Sequence, residues 1–156
     1  MLSIKDTAPA FTLPDQYNTD HTLSQYHGSW VLLYFYPKDD TPGCTTEACT
    51  IAAVYSDFQA LGVTVLGVSK DTPQSHQKFA DKYDLPFTLL SDPDMVTIKE
   101  YGAFKAKKMF GKPVRGTARI SYVIDPNGNI AKVYPDVDPA THAAILLQDL
   151  QTLVRK

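Results

Sequence analysis

Two cysteines, and the residues just before them, carry the clearest chemical signal in this chain. They lie in Tyr36-Pro-Lys-Asp-Asp-Thr-Pro-Gly-Cys-Thr-Thr-Glu-Ala-Cys49. The segment starts where a strand-like apolar run, Trp30 to Tyr36, comes to its end. Chemistry in open α/β sheets gathers at the C-terminal ends of strands. Thr41 can cap a helix and Pro42 can take its first position, which places Cys44 in the first turn. Backbone N–H groups and the helix dipole stabilise an anion there. A thiolate is such an anion, so this position favours an ionised, nucleophilic Cys44. Gly43 beside it puts no side chain in the way of an approaching substrate.

Ionisation alone has a limited effect. An ordinary thiol is about 3% thiolate at pH 7, so complete ionisation gains only about thirty-fold in reactive species. Faster chemistry needs fixed donors aimed at the charge that develops in the transition state. The Thr41 hydroxyl, the Cys44 N–H and a nearby cation are the candidates.

Cys49 follows Cys44 by five residues. On an unbroken helix that spacing is about 140° of rotation and about 7.5 Å of rise, or roughly 8–9 Å between Cα atoms. A disulfide does not tolerate that distance. The two cysteines can therefore bond only if the first turns of the helix unwind. The pair predicts an element that is helical when reduced and locally open when oxidised.

Other uses of two cysteines fit less well. Buried thiols on a helix are often inert, but the Thr-Pro-Gly context argues for reactivity. The spacing suits no helical metal pair, and no second cysteine pair follows. His21, His27, His76 and His142 are scattered and read as surface or packing residues, so no metal or other cofactor is expected. Exchange of disulfides with protein substrates is the alternative function, but it ordinarily uses Cys-x-x-Cys, which is missing. A binding module that had lost its chemistry would lack the nucleophile or the threonine, and both are present.

The bulk composition sets the frame. The 156 residues suit one domain spanning 1–156, with 44% apolar and 21% charged residues. A net charge of −2 gives no reason to expect nucleic acid or an anionic membrane as partner. The N-terminus lacks the basic and apolar regions of a secretory signal, and no apolar run is long enough to span a bilayer. With two cysteines in all, a cytoplasmic, reducing setting and a transient rather than structural disulfide are expected.

The elements that must hold the cysteines alternate along the chain. Trp30–Tyr36 and Val63–Ser69 read as strands buried on both faces. Thr88–Leu90 and Ile120–Ile124 are shorter strands. Ile130–Tyr134 follows across Pro-Asn-Gly-Asn, a hairpin signal. Ile51, Val54, Tyr55, Phe58 and Leu61 form one helical apolar stripe. Thr72-Pro73, Asp92-Pro93 and Asp138-Pro139 each read as a helix start. Leu146, Leu150, Leu153 and Val154 mark the face of a final helix. Phe11–Leu13 and His21–Leu23 flank a polar turn and suggest an N-terminal β-hairpin. The expected fold is α/β, a mixed central sheet flanked by helices, with parallel crossovers first and a late antiparallel hairpin.

The string Pro37-x-x-x-Thr41-x-x-Cys44 resembles the active-site motif of the peroxiredoxins. The longer YFYPKDDTPGCTTEAC is similar to the bacterioferritin comigratory protein, or peroxiredoxin Q, group. GVSKD at 67–71, KKMFGK at 107–112 and ARISYVID at 118–125 agree, so the likeness spans essentially the whole chain. The resemblance implies a thioredoxin-like fold and reduction of hydrogen peroxide and organic hydroperoxides. It implies that Cys44 attacks the peroxide and becomes a sulfenic acid, that Cys49 resolves it as a disulfide, and that thioredoxin or a similar dithiol recycles the enzyme. It assigns Thr41 and Arg119 to catalysis and Pro37 to shielding the sulfur, and many such proteins are monomers. Spacing alone does not choose Arg119 from its neighbours Lys107, Lys108, Lys112 and Arg115; only the match of ARISYVID does. Asp39 and Asp40 would oppose a thiolate and are expected to face solvent. The chain departs from the pattern at Ile51-Ala-Ala53, where relatives commonly carry an aromatic residue and then Arg-Asp.

Overall fold

Five strands make the central sheet, and their order places the cysteine segment near its middle. The structure is a computed structural model that describes residues 1–109 and 112–155. A short hairpin comes first, β1 (Thr12–Pro14) and β2 (Asp20–Thr22), followed by a 3₁₀ turn at Leu23–Tyr26. Then come β3 (Trp30–Phe35), α1 (Pro42–Ala53), α2 (Tyr55–Ala60), β4 (Val63–Ser69), α3 (Pro73–Tyr83) and β5 (Thr88–Ser91). The chain continues through α4 (Val96–Glu100), β6 (Phe104–Met109), β7 (Lys112–Thr117), β8 (Ile120–Ile124), β9 (Ile130–Tyr134) and α5 (His142–Val154).

The sheet order is β5-β4-β3-β8-β9. β3, β4 and β5 run parallel, as the crossover pattern predicts, and β8 joins β3 antiparallel. Leu33 therefore pairs with Leu66 on one side and Tyr122 on the other. The expected β8–β9 hairpin is present. Because side chains alternate across a strand, β3 feeds two cores. Leu32 and Tyr34 meet Ile51, Phe58, Phe79, Leu146 and Leu150 on the face covered by α1, α2, α3 and α5. Val31, Leu33 and Phe35 meet Phe11, Leu23, Ile98 and Tyr101 on the face covered by the N-terminal segment and α4.

Several local expectations change. The stripe from Ile51 to Leu61 faces one core, but the backbone breaks at Val54 (φ −115°, ψ 16°) and divides it into two helices. Thr72 caps α3 as predicted, accepting from Ser75 N–H at 3.2 Å. The other two Asp-Pro pairs make turns ahead of their helices. Asp138 accepts from Ala140 N–H, and α5 begins only at His142. Asp92 reaches over its turn to accept from Ile98 N–H at 2.8 Å, inside α4. In both cases the Asp carbonyl closes a turn first, with Met95 N–H to Asp92 and Thr141 N–H to Asp138, so the helix starts three residues after the proline. The antiparallel β6–β7 ribbon was not anticipated, because its lysines hide any strand alternation.

Candidate active site

Tyr36 N–H still bonds to Val68 carbonyl at the end of the sheet (3.1 Å), and the chain then turns into α1. Asp40 takes a left-handed conformation at φ 55°. Thr41 is extended, Pro42 is the first helical residue, and Thr45 N–H bonds to Thr41 carbonyl at 2.8 Å. Thr41 thus occupies the capping position, but its side chain does not cap. Its hydroxyl donates instead to Lys38 carbonyl at 2.9 Å. With that proton committed, the oxygen is left as an acceptor.

Cys44 is the third residue of the helix and is buried at 2% exposure. Cys49 is half-buried on the same helix, and both are free thiols. Burial pushes the Cys49 thiol up from its ordinary value. α1 runs unbroken from Pro42 to Ala53, so the spacing argument applies to it: the two sulfurs cannot meet while it stays folded.

Arg119 arrives from the far end of the sequence. It stands between β7 and β8, in a segment fixed by Ala118 N–H to Ala103 carbonyl (2.7 Å) and Val137 N–H to Arg119 carbonyl (3.2 Å). Its guanidinium lies directly on Gly43. A Cβ there would stand 2.5 Å from Arg119 Nη2. Gly43 therefore does more than leave the sulfur open; its missing side chain is the space the cation fills. Arg115 is exposed, and the side chains of Lys107, Lys108 and Lys112 lie outside the described residues. Pro37 sits half-buried in the same loop. Pro42, Gly43 and Thr46 face Asp138, Pro139 and Ala140 across an open cavity of about 290 Å³.

Two participants escaped sequence reasoning. Glu47, one helical turn past Gly43, is buried at 1% exposure and takes Arg119 Nη1 at 3.4 Å. Its other oxygen, Oε2, has no partner among the described residues. Burial raises its carboxyl from 4.5 to about 7, with Arg119 pulling the other way. At neutral pH it is only partly charged, and so only partly neutralises the cation. The usable signal was a carboxylate at i+4 from Gly43 and i+3 from Cys44, on the helix face that also carries Ala48 and Ile51. The second is Asp39. It was expected in solvent, but it is buried and bonded to Tyr36, Ser75 and His76. Three hydrogen bonds offset its desolvation. Asp40 does face solvent, paired with Lys82 (2.7 Å) and Tyr83 (2.7 Å).

A thiol at a helix N-terminus, a guanidinium over the adjacent glycine and a threonine oxygen ahead of both suit nucleophilic attack that releases an anion. Comparison with known proteins agrees. The family model described as the AhpC/TSA family matches residues 4–133. The chain belongs to the AhpC/TSA family. Within these peroxiredoxins it is 46% identical to the putative peroxiredoxin bcp of Coxiella burnetii, over 92% of this chain and 95% of that one. It is 41% identical to peroxiredoxin Bcp of Escherichia coli K12, over 96% of each. The crystal structure of a cysteine-to-serine mutant of PrxQ from Xylella fastidiosa superposes with a TM-score of 0.93 at 34% identity, over 98% of both chains. The fold is thus the thioredoxin fold of the peroxiredoxins, and the protein is a thiol peroxidase of the Bcp/PrxQ group. No helix among the described residues is long and apolar enough to cross a membrane.

Proposed function

We propose that this peroxidase works through Cys44 and Cys49 in one chain. The Cys44 thiolate attacks the terminal oxygen of hydrogen peroxide or an organic hydroperoxide. An S–O bond forms, the O–O bond breaks, and the second oxygen leaves as an anion that takes a proton. Arg119 stabilises that anion, and the Thr41 oxygen accepts a hydrogen bond from the peroxide's own hydroxyl. Pro37 keeps water from the sulfur. Cys44 is left as a sulfenic acid. α1 then opens, Cys49 attacks the sulfenic sulfur, water departs and a Cys44–Cys49 disulfide remains. A dithiol reductant of the thioredoxin type supplies two electrons and two protons to restore both thiols. Both cysteines sit on one helix, so a monomer suffices.

The observation that carries this reading is Arg119 seated on Gly43, next to Cys44. The test is stopped-flow peroxide reduction. Cys44→Ser should abolish consumption. Cys49→Ser should consume about one peroxide per chain and stop at the sulfenic acid. Wild-type consumption by Cys44→Ser would remove the nucleophile, and steady thioredoxin-driven turnover by Cys49→Ser would remove the resolver.

A further inference from the structure

One buried acid–base pair lies on the other side of the active loop, unused by the chemistry above. Asp39 stands two residues before Thr41. Its carboxylate accepts from Tyr36 Oη at 2.6 Å and from Ser75 Oγ at 2.8 Å, and it faces His76 Nδ1 at 2.7 Å. Its own N–H donates to Asp71 Oδ2 at 2.9 Å, and the same oxygen accepts from Ser69 Oγ at 2.7 Å. His76 is fully buried, with Nε2 2.9 Å from Leu90 carbonyl. Asp39, Asp71 and His76 bring ligand-type atoms within 4.8 Å of one another, but these hydrogen bonds already engage each of those atoms.

The geometry fixes one ring proton. A carbonyl only accepts, so Nε2 carries a hydrogen. Nδ1 faces an oxygen that already accepts from Ser75, and the other oxygen accepts from Tyr36. Nδ1 and the Asp39 carboxyl share the hydrogen bond between them, and Tyr36 Oη lies 3.4 Å from the same nitrogen. The result is a buried acid–base pair with both ring nitrogens and both carboxyl oxygens in hydrogen bonds.

We propose that Asp39 and His76 are a positioning pair for the attacking site. Their hydrogen bond ties the loop between β3 and α1 to α3, and through Leu90 to β5. Only Asp40 separates this anchor from Thr41, so it sets where the threonine oxygen and the first turn of α1 stand. The charged and titratable groups around the pair are Tyr36 just after β3, Asp71 from the turn after β4, and Lys78 and Lys82 from α3 along the cleft they share with Asp39 and Asp40. Asp40 adds only an exposed second tie, to Lys82. The inference rests on reading Cys44 as the attacking sulfur.

Nitrogen NMR of ¹⁵N-histidine-labelled reduced protein tests the pair directly. The Nδ1 resonance of His76 should report a strong hydrogen bond in the wild type and should shift in a folded Asp39→Ala. An Nδ1 resonance unchanged in folded Asp39→Ala overturns the pair. Peroxide kinetics test the positioning. Asp39→Ala should slow the reaction of reduced protein with peroxide by about 10- to 100-fold, the scale of a misplacement near 1 Å. Asp39→Asn should restore most of that loss, because its amide donates to Nδ1 and its carbonyl accepts from Tyr36. A folded Asp39→Ala at the wild-type rate overturns the proposal. So does an Asp39→Asn variant that is folded but as slow as Asp39→Ala, and this second variant decides the matter if Asp39→Ala does not fold. Cys44→Ser, run alongside, separates the two readings. If it still consumes peroxide, the nucleophile is wrong; if it is inactive while Asp39→Ala is not, only the positioning pair is.

Discussion

Tyr34 and Tyr36 lie two residues apart on one extended segment, with their rings stacked 5.5 Å between centroids. Their hydroxyls are in opposite situations. Tyr36 donates to Asp39 in a cluster where every hydrogen-bonding atom is engaged. The Tyr34 hydroxyl, in the core shared with α1, has no partner among the described residues, and neither has Glu47 Oε2 on that helix. Burial holds both phenols well above their ordinary value, so both stay protonated. A buried polar atom without a partner costs about 1–3 kcal/mol, which water recovers on exposure. The α3 side of the active loop is therefore an anchor, while the α1 side is biased toward opening. The proposed cycle makes the same division: the loop must stay in place while α1 unwinds to bring Cys49 to Cys44.

The largest effect should come from removing the charge on the under-satisfied side. Arg119→Met takes the guanidinium off Gly43 and leaves Glu47 buried alone. The reaction of the reduced protein with peroxide should slow by about 10²–10³-fold, the usual loss for a donor aimed at a developing oxyanion. Arg119→Lys should recover only part, since an ammonium cannot meet Glu47 and the anion together through one planar fork. Competition kinetics against a second peroxide scavenger would measure both. A wild-type rate in Arg119→Met would take the cation out of the mechanism and leave the asymmetry around the loop without catalytic meaning.

This asymmetry could be read from the sequence only in part. The strands of the sheet, the late hairpin, the placement of Cys44 in the first helical turn and the need for α1 to unwind follow from periodicity, capping and helix geometry. These are local rules, and they act within a few residues. Arg119 lies 75 positions from Cys44, and among its neighbouring cations only a family motif singled it out. Asp39 misled for a similar reason. A carboxylate in a loop reads as solvated until Tyr36, Ser75 and His76 are seen to converge on it, and two of those come from α3. Glu47 was visible as a helix neighbour of Gly43, but nothing local says that its face turns inward. The break at Val54 and the late starts of α4 and α5 depend on turns whose closing bonds no apolar pattern records.

Glu47 gives the next effect in size, and its sign is fixed. Its carboxyl rises from 4.5 in the open chain to about 7 when folded. The folded protein therefore binds this proton more tightly. The resulting stability is fully present below pH 4.5 and is lost as the pH rises through about 7. Between those limits it amounts to roughly 2–3 kcal/mol. His142 acts in the other direction. Burial lowers it to about 4, so its contribution is present above pH 6.5 and lost as the pH falls toward 4. Glu47→Gln should remove only the first of these. Urea unfolding of the reduced wild type and variant at pH 5 and pH 8 isolates it: the wild type should lose stability relative to Glu47→Gln on going to pH 8. Parallel changes in the two proteins would show that the Glu47 carboxyl is not held as its burial requires.

The smallest effect is the most direct comparison of the two sides. Tyr34→Phe and Tyr36→Phe each delete one oxygen and leave the ring and its stacking in place. At Tyr36 the deletion removes a donor from a buried carboxylate, so the reduced protein should lose about 1–3 kcal/mol, as for other hydrogen bonds to charged groups. At Tyr34 it removes an atom that had no partner to lose, so stability should rise by about 1 kcal/mol or more. The ring fills the space that a side chain on Gly67 would take, where a Cβ would come within 2.9 Å of the Tyr34 hydroxyl. Removing one oxygen there opens no large cavity. The same change should slow the opening of α1. Hydrogen exchange across residues 42–50 should then be slower in oxidised Tyr34→Phe than in oxidised wild type, and more Cys44 should be over-oxidised at high peroxide as resolution by Cys49 falls behind. If both substitutions destabilised the protein equally, the Tyr34 hydroxyl would have to be bonded in solution, and the bias of α1 toward opening would have to come from Glu47 alone.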